Sequence, residues 1–362
     1  MTSLTLEQVC GQLIVGGFGG NSVPEALLDR LRAAERGGTI VFRSNLPDLG
    51  TALRLNEQVV RACRAELPPF LGIDEEGGRV TRLPAPAPTL PTMRALGATG
   101  LLDLVRDAGS ALGRQLAALG YNLDFAPVLD VDSNPANPII GDRSFSAHPH
   151  AVARLGLAFA EGLLVGGALP CGKHFPGHGD TAKDSHLDLP VVGRDERSLG
   201  QVELPPFQAA VAADLPALMS AHVVFEALDR GVPATLSAKI CTRLLREQLG
   251  FTGVLFSDDL EMRALADRYP IEEIAVGAVA AGCDVLLICH SLEQQDRAHA
   301  ALVERARADD AFRERCHEAL ERSLRARRQQ PPAPNSVAAA LEHGREVARI
   351  AALVDGSVLQ SR

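Results

Sequence analysis

The 362-residue sequence predicts an α/β protein, a single-domain (β/α)8 TIM-type barrel with a helical tail. Three observations lead there. Eight short apolar runs alternate with stretches of helical spacing. The runs are almost continuously apolar, as parallel strands buried on both faces must be. Polar residues able to do chemistry gather just after those runs, on the face where such a barrel carries its site. A doubly wound open sheet is the alternative for the same alternation.

The strands are expected at 12–16, 39–42, 70–74, 122–127, 169–174, 217–222, 254–258 and 284–289. Between them, Leu101, Leu104, Val105, Ala108, Leu112 and Leu116 recur at helical spacing, and Gly120 ends that helix. Ser237 is placed to cap a helix whose apolar residues are Ile240, Leu244, Leu245 and Leu249, with a stop at Gly250. The run QQPPAPN, 329–335, breaks the pattern, and a last helix is expected over 336–353. The chain therefore divides into a barrel, 1–328, and a tail, 329–362, packed on it; the tail is too short for a second domain.

Hydrophobic residues make up 46% and charged residues 22%, an ordinary soluble balance. A net charge of −9 gives no electrostatic footprint for nucleic acid, and an anionic ligand would need a local cluster of Arg or Lys. The start, MTSLTLEQVCGQLIVGGFGG, lacks a basic n-region and reads as a poor secretory signal; no stretch reaches the length of a membrane-spanning helix. Seven cysteines are scattered without a CxxC pair, which fits reduced, mostly buried thiols. These features predict a cytoplasmic protein with no nucleic-acid or membrane partner, a monomer or weak homodimer. The absence of Trp and the presence of only two Tyr argue against a long cleft of stacked sugar rings and for a small pocket of polar contacts.

Chemistry-bearing residues stand at most strand ends: Arg43 and Asn45, Asp74 with Glu75 and Glu76, Asp130 and Asp132, Lys173 and His174, His222, Asp258 and Asp259, and His290. In GIDEEGGRVTRL, 72–83, Asp74 would point from a strand tip into the pocket, Gly77 and Gly78 permit a tight turn, and Arg79 and Arg82 follow. Taken alone, this segment is equally a surface turn with ordinary ion pairing.

The densest stretch is KHFPGHGDTAKDSH, 173–186. His174, His178, Asp180 and His186 offer zinc ligands, but the nearest two histidines straddle a Pro-Gly turn rather than share a helix face, so no metal is expected. A zinc hydrolase would lose activity to a chelator. Proton transfer suits the residues better: Asp184 can fix the tautomer of His186, leaving the other ring nitrogen as acid and base near neutral pH. In VLFSDDLEM, 254–262, Asp258 stands at a strand mouth, where a carboxylate can attack an anomeric carbon. Asp259 is chemically similar. Strand alternation would turn only one of the two towards the pocket, and spacing does not choose between them. A cap on the following helix is the other role available to Asp259.

The segments KHFPGHGDT…DSH…LP (173–190), DEEGGRV, GDRSF (141–145) and FSDD resemble glycoside hydrolase family 3, closely its single-domain bacterial β-N-acetylglucosaminidases, over nearly the whole chain. Glu75 stands where many members carry Gln. The resemblance implies Asp258 as nucleophile, since it follows the serine of the family's Ser-Asp motif, with His186 as acid/base and Asp184 as its partner. Asp74, Arg82, Arg143, Lys173 and His174 match positions that hold a terminal N-acetylglucosamine. It further implies retaining, cofactor-free hydrolysis in cell-wall recycling. The substrate would be N-acetylglucosamine linked β-1,4 to 1,6-anhydro-N-acetylmuramic acid, with or without peptide. Two other functions fit the same residues: a phosphorylase using phosphate in place of water, and a non-catalytic amino-sugar-binding protein.

Overall fold

The computed structural model describes residues 4–181 and 189–360, with side chains as far as 356. Its strands are Ile14–Gly16, Gly38–Ile40, Phe70–Ile73, Leu123–Asp124, Leu169–Phe175, Ala217–Ser220, Val254–Asp259 and Val285–Ile288. They pair in parallel, each with its neighbour in this series, and the first closes on the eighth with Ile14 opposite Leu286. The (β/α)8 barrel is therefore the observed fold, and each expected run overlaps one of its strands. The fourth is shorter than expected for a local reason. The Asn122 side chain spans to the third strand, accepting from the Leu71 amide at 2.7 Å and donating to the Pro69 carbonyl at 3.1 Å. Beyond Asp124 the chain soon reaches Pro127, which has no N–H for a ladder.

Inside the barrel Phe256 meets Phe70 and Phe125 edge-on, with centroids 5.2 and 5.4 Å apart. Val15, Ile40, Leu123, Leu169, Val254 and Val285 fill the remaining layers. Arg327 lies under this core, its guanidinium 5.4 Å from the Phe70 ring and donating to Gln12 Oε1 at 2.8 Å. Burial lowers its pKa to about 9. At the start of the eighth strand buried Asp284 pairs with Arg246, Arg315 and Arg322.

The helix expected from 101 spans Leu102–Ala118 and packs against Pro149–Gly166 at very short range. A Cβ on Gly109 would come 2.2 Å from the Phe159 carbonyl oxygen, and one on Gly162 2.1 Å from that of Arg106, so only glycine permits the approach. The helix Lys239–Gln248 is of the wide π type. Ser237 Oγ accepts from the Ile240 amide at 3.2 Å, and Gly250 beyond it has φ +83°. The last helix, Val337–Gln360, lays Ala340, Val347, Ile350 and Val354 in the same core as Ala108, Ala111 and Leu112. The two-residue strands Val191–Val192 and Val224–Phe225 pair outside the barrel and have no counterpart among the expected elements. All seven cysteines are free thiols, and among the described residues no helix is long and apolar enough to cross a membrane.

Candidate active site

The strand tips converge on a cavity of about 350 Å³. Asp74, Arg82, Arg143, Lys173, His174, Asp258 and Asp259 all line it, with Glu76, Phe42, His178, Met262 and His290. Five elements far apart in sequence thus supply the residues singled out above. Asp184 and His186 lie outside the described residues.

At the base of the cavity is a buried hub of two carboxylates and two cations. Lys173, from the fifth strand, places Nζ 2.7 Å from Asp74 Oδ1 and 2.6 Å from Glu76 Oε1. Arg143, from the short helical turn Gly141–Arg143, holds Glu76 with Nε and Nη2, each at 2.8 Å. Arg82 Nη2 stands 3.7 Å from the free side of Asp74. Burial would raise the Glu76 carboxyl, but the charges of Arg143 and Lys173 outweigh it and hold the group well below the usual range. Burial likewise opposes the charge on Lys173, and Asp74 and Glu76 outweigh it in the other direction. Glu76, Lys173 and Arg143 therefore stay ionised at neutral pH, and with Asp74 they form a fixed array of donors and acceptors suited to sugar hydroxyls.

Glu75 faces the opposite way and shapes the loop. Its Oε2 accepts from the amides of Arg82 at 2.6 Å and Leu83 at 2.9 Å, and Oε1 accepts the Thr81 hydroxyl. Arg82 reaches the cavity because this buried carboxyl folds its segment back.

His174 is positioned by Asp130. Asp130 Oδ2 lies 2.6 Å from His174 Nδ1, while Oδ1 accepts the amides of His174 at 3.1 Å and His178 at 2.7 Å. Burial would raise the Asp130 carboxyl, but the neighbouring His174 outweighs it, and the group is lowered. His178 is different: burial first, and the charge of His174 second, pull its pKa down to about 4. It lies 2.8 Å from Thr181 Oγ1 and is neutral at physiological pH.

Asp258 and Asp259 both line the cavity, contrary to strict alternation, because the seventh strand is irregular where it meets the eighth. Their surroundings differ. Asp259 Oδ1 accepts from the amides of Glu261 at 3.1 Å and Cys289 at 3.2 Å, and Oδ2 lies 3.4 Å from His290 Nε2. Asp259 thus braces a turn and the end of the eighth strand; it does not cap the following helix, whose capping residue is Met262. His222 is buried below them and donates from Nε2 to the Asp259 carbonyl at 2.9 Å. Burial lowers its pKa, which suits that neutral form.

Not every polar strand end reaches the cavity. Asn45 is buried and bonds the Phe18 and Gly20 carbonyls, Arg43 is exposed, and Asp132 pairs with Arg94 at 2.6 Å. Asp180 pairs bidentately with Arg194, at 2.6 and 3.0 Å. Two important residues stood among the polar strand ends of the sequence without a role of their own. Glu76 is the hub for Arg143 and Lys173, and Asp130 is the anchor of His174. The signal for Glu76 was an uninterrupted Asp-Glu-Glu before two glycines.

Comparison with known proteins agrees with this geometry. Residues 5–326 match the Glycosyl hydrolase family 3 N terminal domain. A β-hexosaminidase of Thiobacillus denitrificans is 41% identical over 282 residues, spanning 76% of this chain and 77% of that one. The solved β-N-acetylglucosaminidase of family 3 from Paenibacillus superposes with a TM-score of 0.89 at 38% identity, over 96% of this chain and 68% of that chain. NagZ from Neisseria gonorrhoeae, solved with N-trifluoroacetyl-D-glucosamine, gives 0.75 at 31% identity over 94% and 98%. The chain belongs to glycoside hydrolase family 3. It is a glycoside hydrolase acting on N-acetylhexosaminides.

Proposed function

We propose that the enzyme releases terminal β-linked N-acetylglucosamine with retention of configuration, and that its substrate is N-acetylglucosamine-1,6-anhydro-N-acetylmuramic acid, with or without peptide, in cytoplasmic cell-wall recycling. The observation that carries the reading is the hub of Asp74, Glu76, Arg143 and Lys173 at the base of a small cavity that Asp258 also lines. Such a site grips one sugar by its hydroxyls. A cavity of about 350 Å³ is in keeping with an exo-acting enzyme. The family's substrates and the N-acetylglucosamine analogue bound by the Neisseria protein support the choice of sugar.

In this reading a carboxylate oxygen of Asp258 attacks the anomeric carbon as the glycosidic C–O bond breaks. His186, held by Asp184, gives its proton to the departing oxygen. His186 then takes a proton from water, whose oxygen displaces Asp258 and frees the sugar. Asp74, Arg82, Arg143, Lys173 and His174 hold the hydroxyls. No metal or cofactor enters these steps, and the chain acts as a monomer or weak homodimer.

Product analysis on a chromogenic β-N-acetylglucosaminide, with and without phosphate, tests the reading. The free sugar in both buffers and a large loss in His186→Ala are expected. Sugar-1-phosphate appearing in phosphate buffer would establish the phosphorylase instead, and wild-type turnover by His186→Ala would remove the dyad.

A further inference from the structure

One buried carboxyl group has no part in the steps above. Glu203 precedes the helix Leu204–Ala212, and its side chain runs under the turn 176–180. It is almost completely buried, at 1% exposure. Oε1 accepts the Ser133 hydroxyl at 2.9 Å, and among the described residues no donor reaches Oε2.

The fit against the turn is tight. A Cβ on Gly177 would come 2.8 Å from Oε2, and one on Gly179 would be 3.3 Å from it and 1.7 Å from the Val131 carbonyl oxygen. The two glycines are there because Glu203 on one side and the segment after the fourth strand on the other leave no room for a side chain. Asn137 adds a second tie between the same segments, donating from Nδ2 to the carbonyls of His178 at 2.8 Å and Gly179 at 2.9 Å. The turn begins just past Lys173 and His174 in the cavity and continues in sequence to Asp184 and His186.

We propose that Glu203 is a positioning residue for the turn 176–180: its buried carboxyl wedges that turn against the Ser133 segment, just past Lys173 and His174 and just ahead in sequence of Asp184 and His186. The inference rests on the reading of those two residues as the acid/base dyad.

The charge state follows from the surroundings. Burial is the main influence and pushes the Glu203 carboxyl up to about 7; Asp130 and Asp180 add to this, while Ser133 and Arg194 oppose it. Arg194 is already committed to Asp180. Among the described residues, ionisation would leave a buried charge with one hydroxyl donor, next to Asp130. Because the carboxyl is raised, the neutral form is the one the fold favours. Its contribution is intact at low pH and is lost as pH rises through about 7. The wedge should therefore weaken on the alkaline side, and activity with it.

The test is the pH profile of Glu203→Gln, which keeps the shape of the neutral acid and cannot ionise. On a chromogenic β-N-acetylglucosaminide, kcat at pH 5.5 should stay within about threefold of wild type, and the alkaline fall of kcat should move up by about one pH unit. KM should change little, because Glu203 touches none of the residues of the hub. Ser133→Ala removes the one donor that favours the ionised form and should move the same limb in the same direction, an internal check should Glu203→Gln fold poorly. Alkaline limbs that superimpose on wild type in both variants would overturn the proposal. His186→Ala, measured alongside, separates the two levels. If it is inactive while both limbs are unmoved, only the role of Glu203 fails. If it turns over like wild type, the dyad and the proposal fail together.

Discussion

The guanidinium of Arg143 meets the carboxylate of Glu76 through two hydrogen bonds of 2.8 Å each, and Lys173 closes on the same carboxylate at 2.6 Å. One buried acid thus orients two cations that come from separate segments of the chain. Removing it takes the bidentate partner from Arg143 and leaves Lys173 with Asp74 alone. Glu76→Gln should cost about 3–5 kcal/mol of stability by urea denaturation and lower kcat/KM by roughly 10²-fold or more. The folded carboxyl is depressed, so its contribution is present above the ordinary glutamate range and is lost as pH falls below it. The wild-type denaturation midpoint should fall more steeply on acidification than that of the variant.

Asp130 acts on His174 through both oxygens. Asp130→Asn can keep the amide contacts but presents an N–H where Nδ1 of His174 needs an acceptor, which favours the wrong tautomer. A fall in kcat/KM of about 10²-fold is expected, with a near-native circular dichroism spectrum. Unchanged kcat/KM would show that His174 needs no such anchor.

The two adjacent aspartates should separate cleanly. Asp258→Asn should lower kcat by about 10⁴-fold or more, as loss of a nucleophile does. Asp259 accepts two backbone amides through Oδ1, which an amide oxygen can also do, so Asp259→Asn should retain activity within about tenfold. The reverse order of severity would exchange their roles.

Glu75→Gln is the conservative counterpart. A glutamine oxygen can accept from the Arg82 and Leu83 amides while its NH₂ donates to Thr81. Burial raises the Glu75 carboxyl, so the neutral form is favoured and stability declines as pH rises through its folded value. Thermal unfolding at pH 5 and pH 8 should show a smaller difference for the variant than for wild type, with activity little altered. A variant that melts lower at both pH values would refute this.

The barrel was legible because eight runs buried on both faces leave a strong apolar signature, and because strand-end chemistry marks one rim. The pair Val191–Val192 and Val224–Phe225 was not, since two residues carry no period. Asp74, Arg82, Arg143, Lys173 and His174 line one cavity. Glu75 and Glu76, by contrast, are indistinguishable in sequence yet do different work, one folding a loop and one holding two cations. Which of two neighbouring acids faces inward depends on turn geometry set by Gly77 and Gly78. Glu203 gave no signal at all, because its importance lies in contact with glycines some 25 positions earlier in the chain. Asp184 and His186 were read from their spacing as a pair suited to proton transfer and given their roles by resemblance; they fall outside the described residues.

The central claim is a double displacement at the anomeric carbon with Asp258 as the first nucleophile. Proton NMR of the first sugar released from a chromogenic β-N-acetylglucosaminide, recorded before mutarotation, tests it most directly. Retention predicts β-N-acetylglucosamine as the initial product; the α anomer appearing first would mean direct attack by water and would contradict the account.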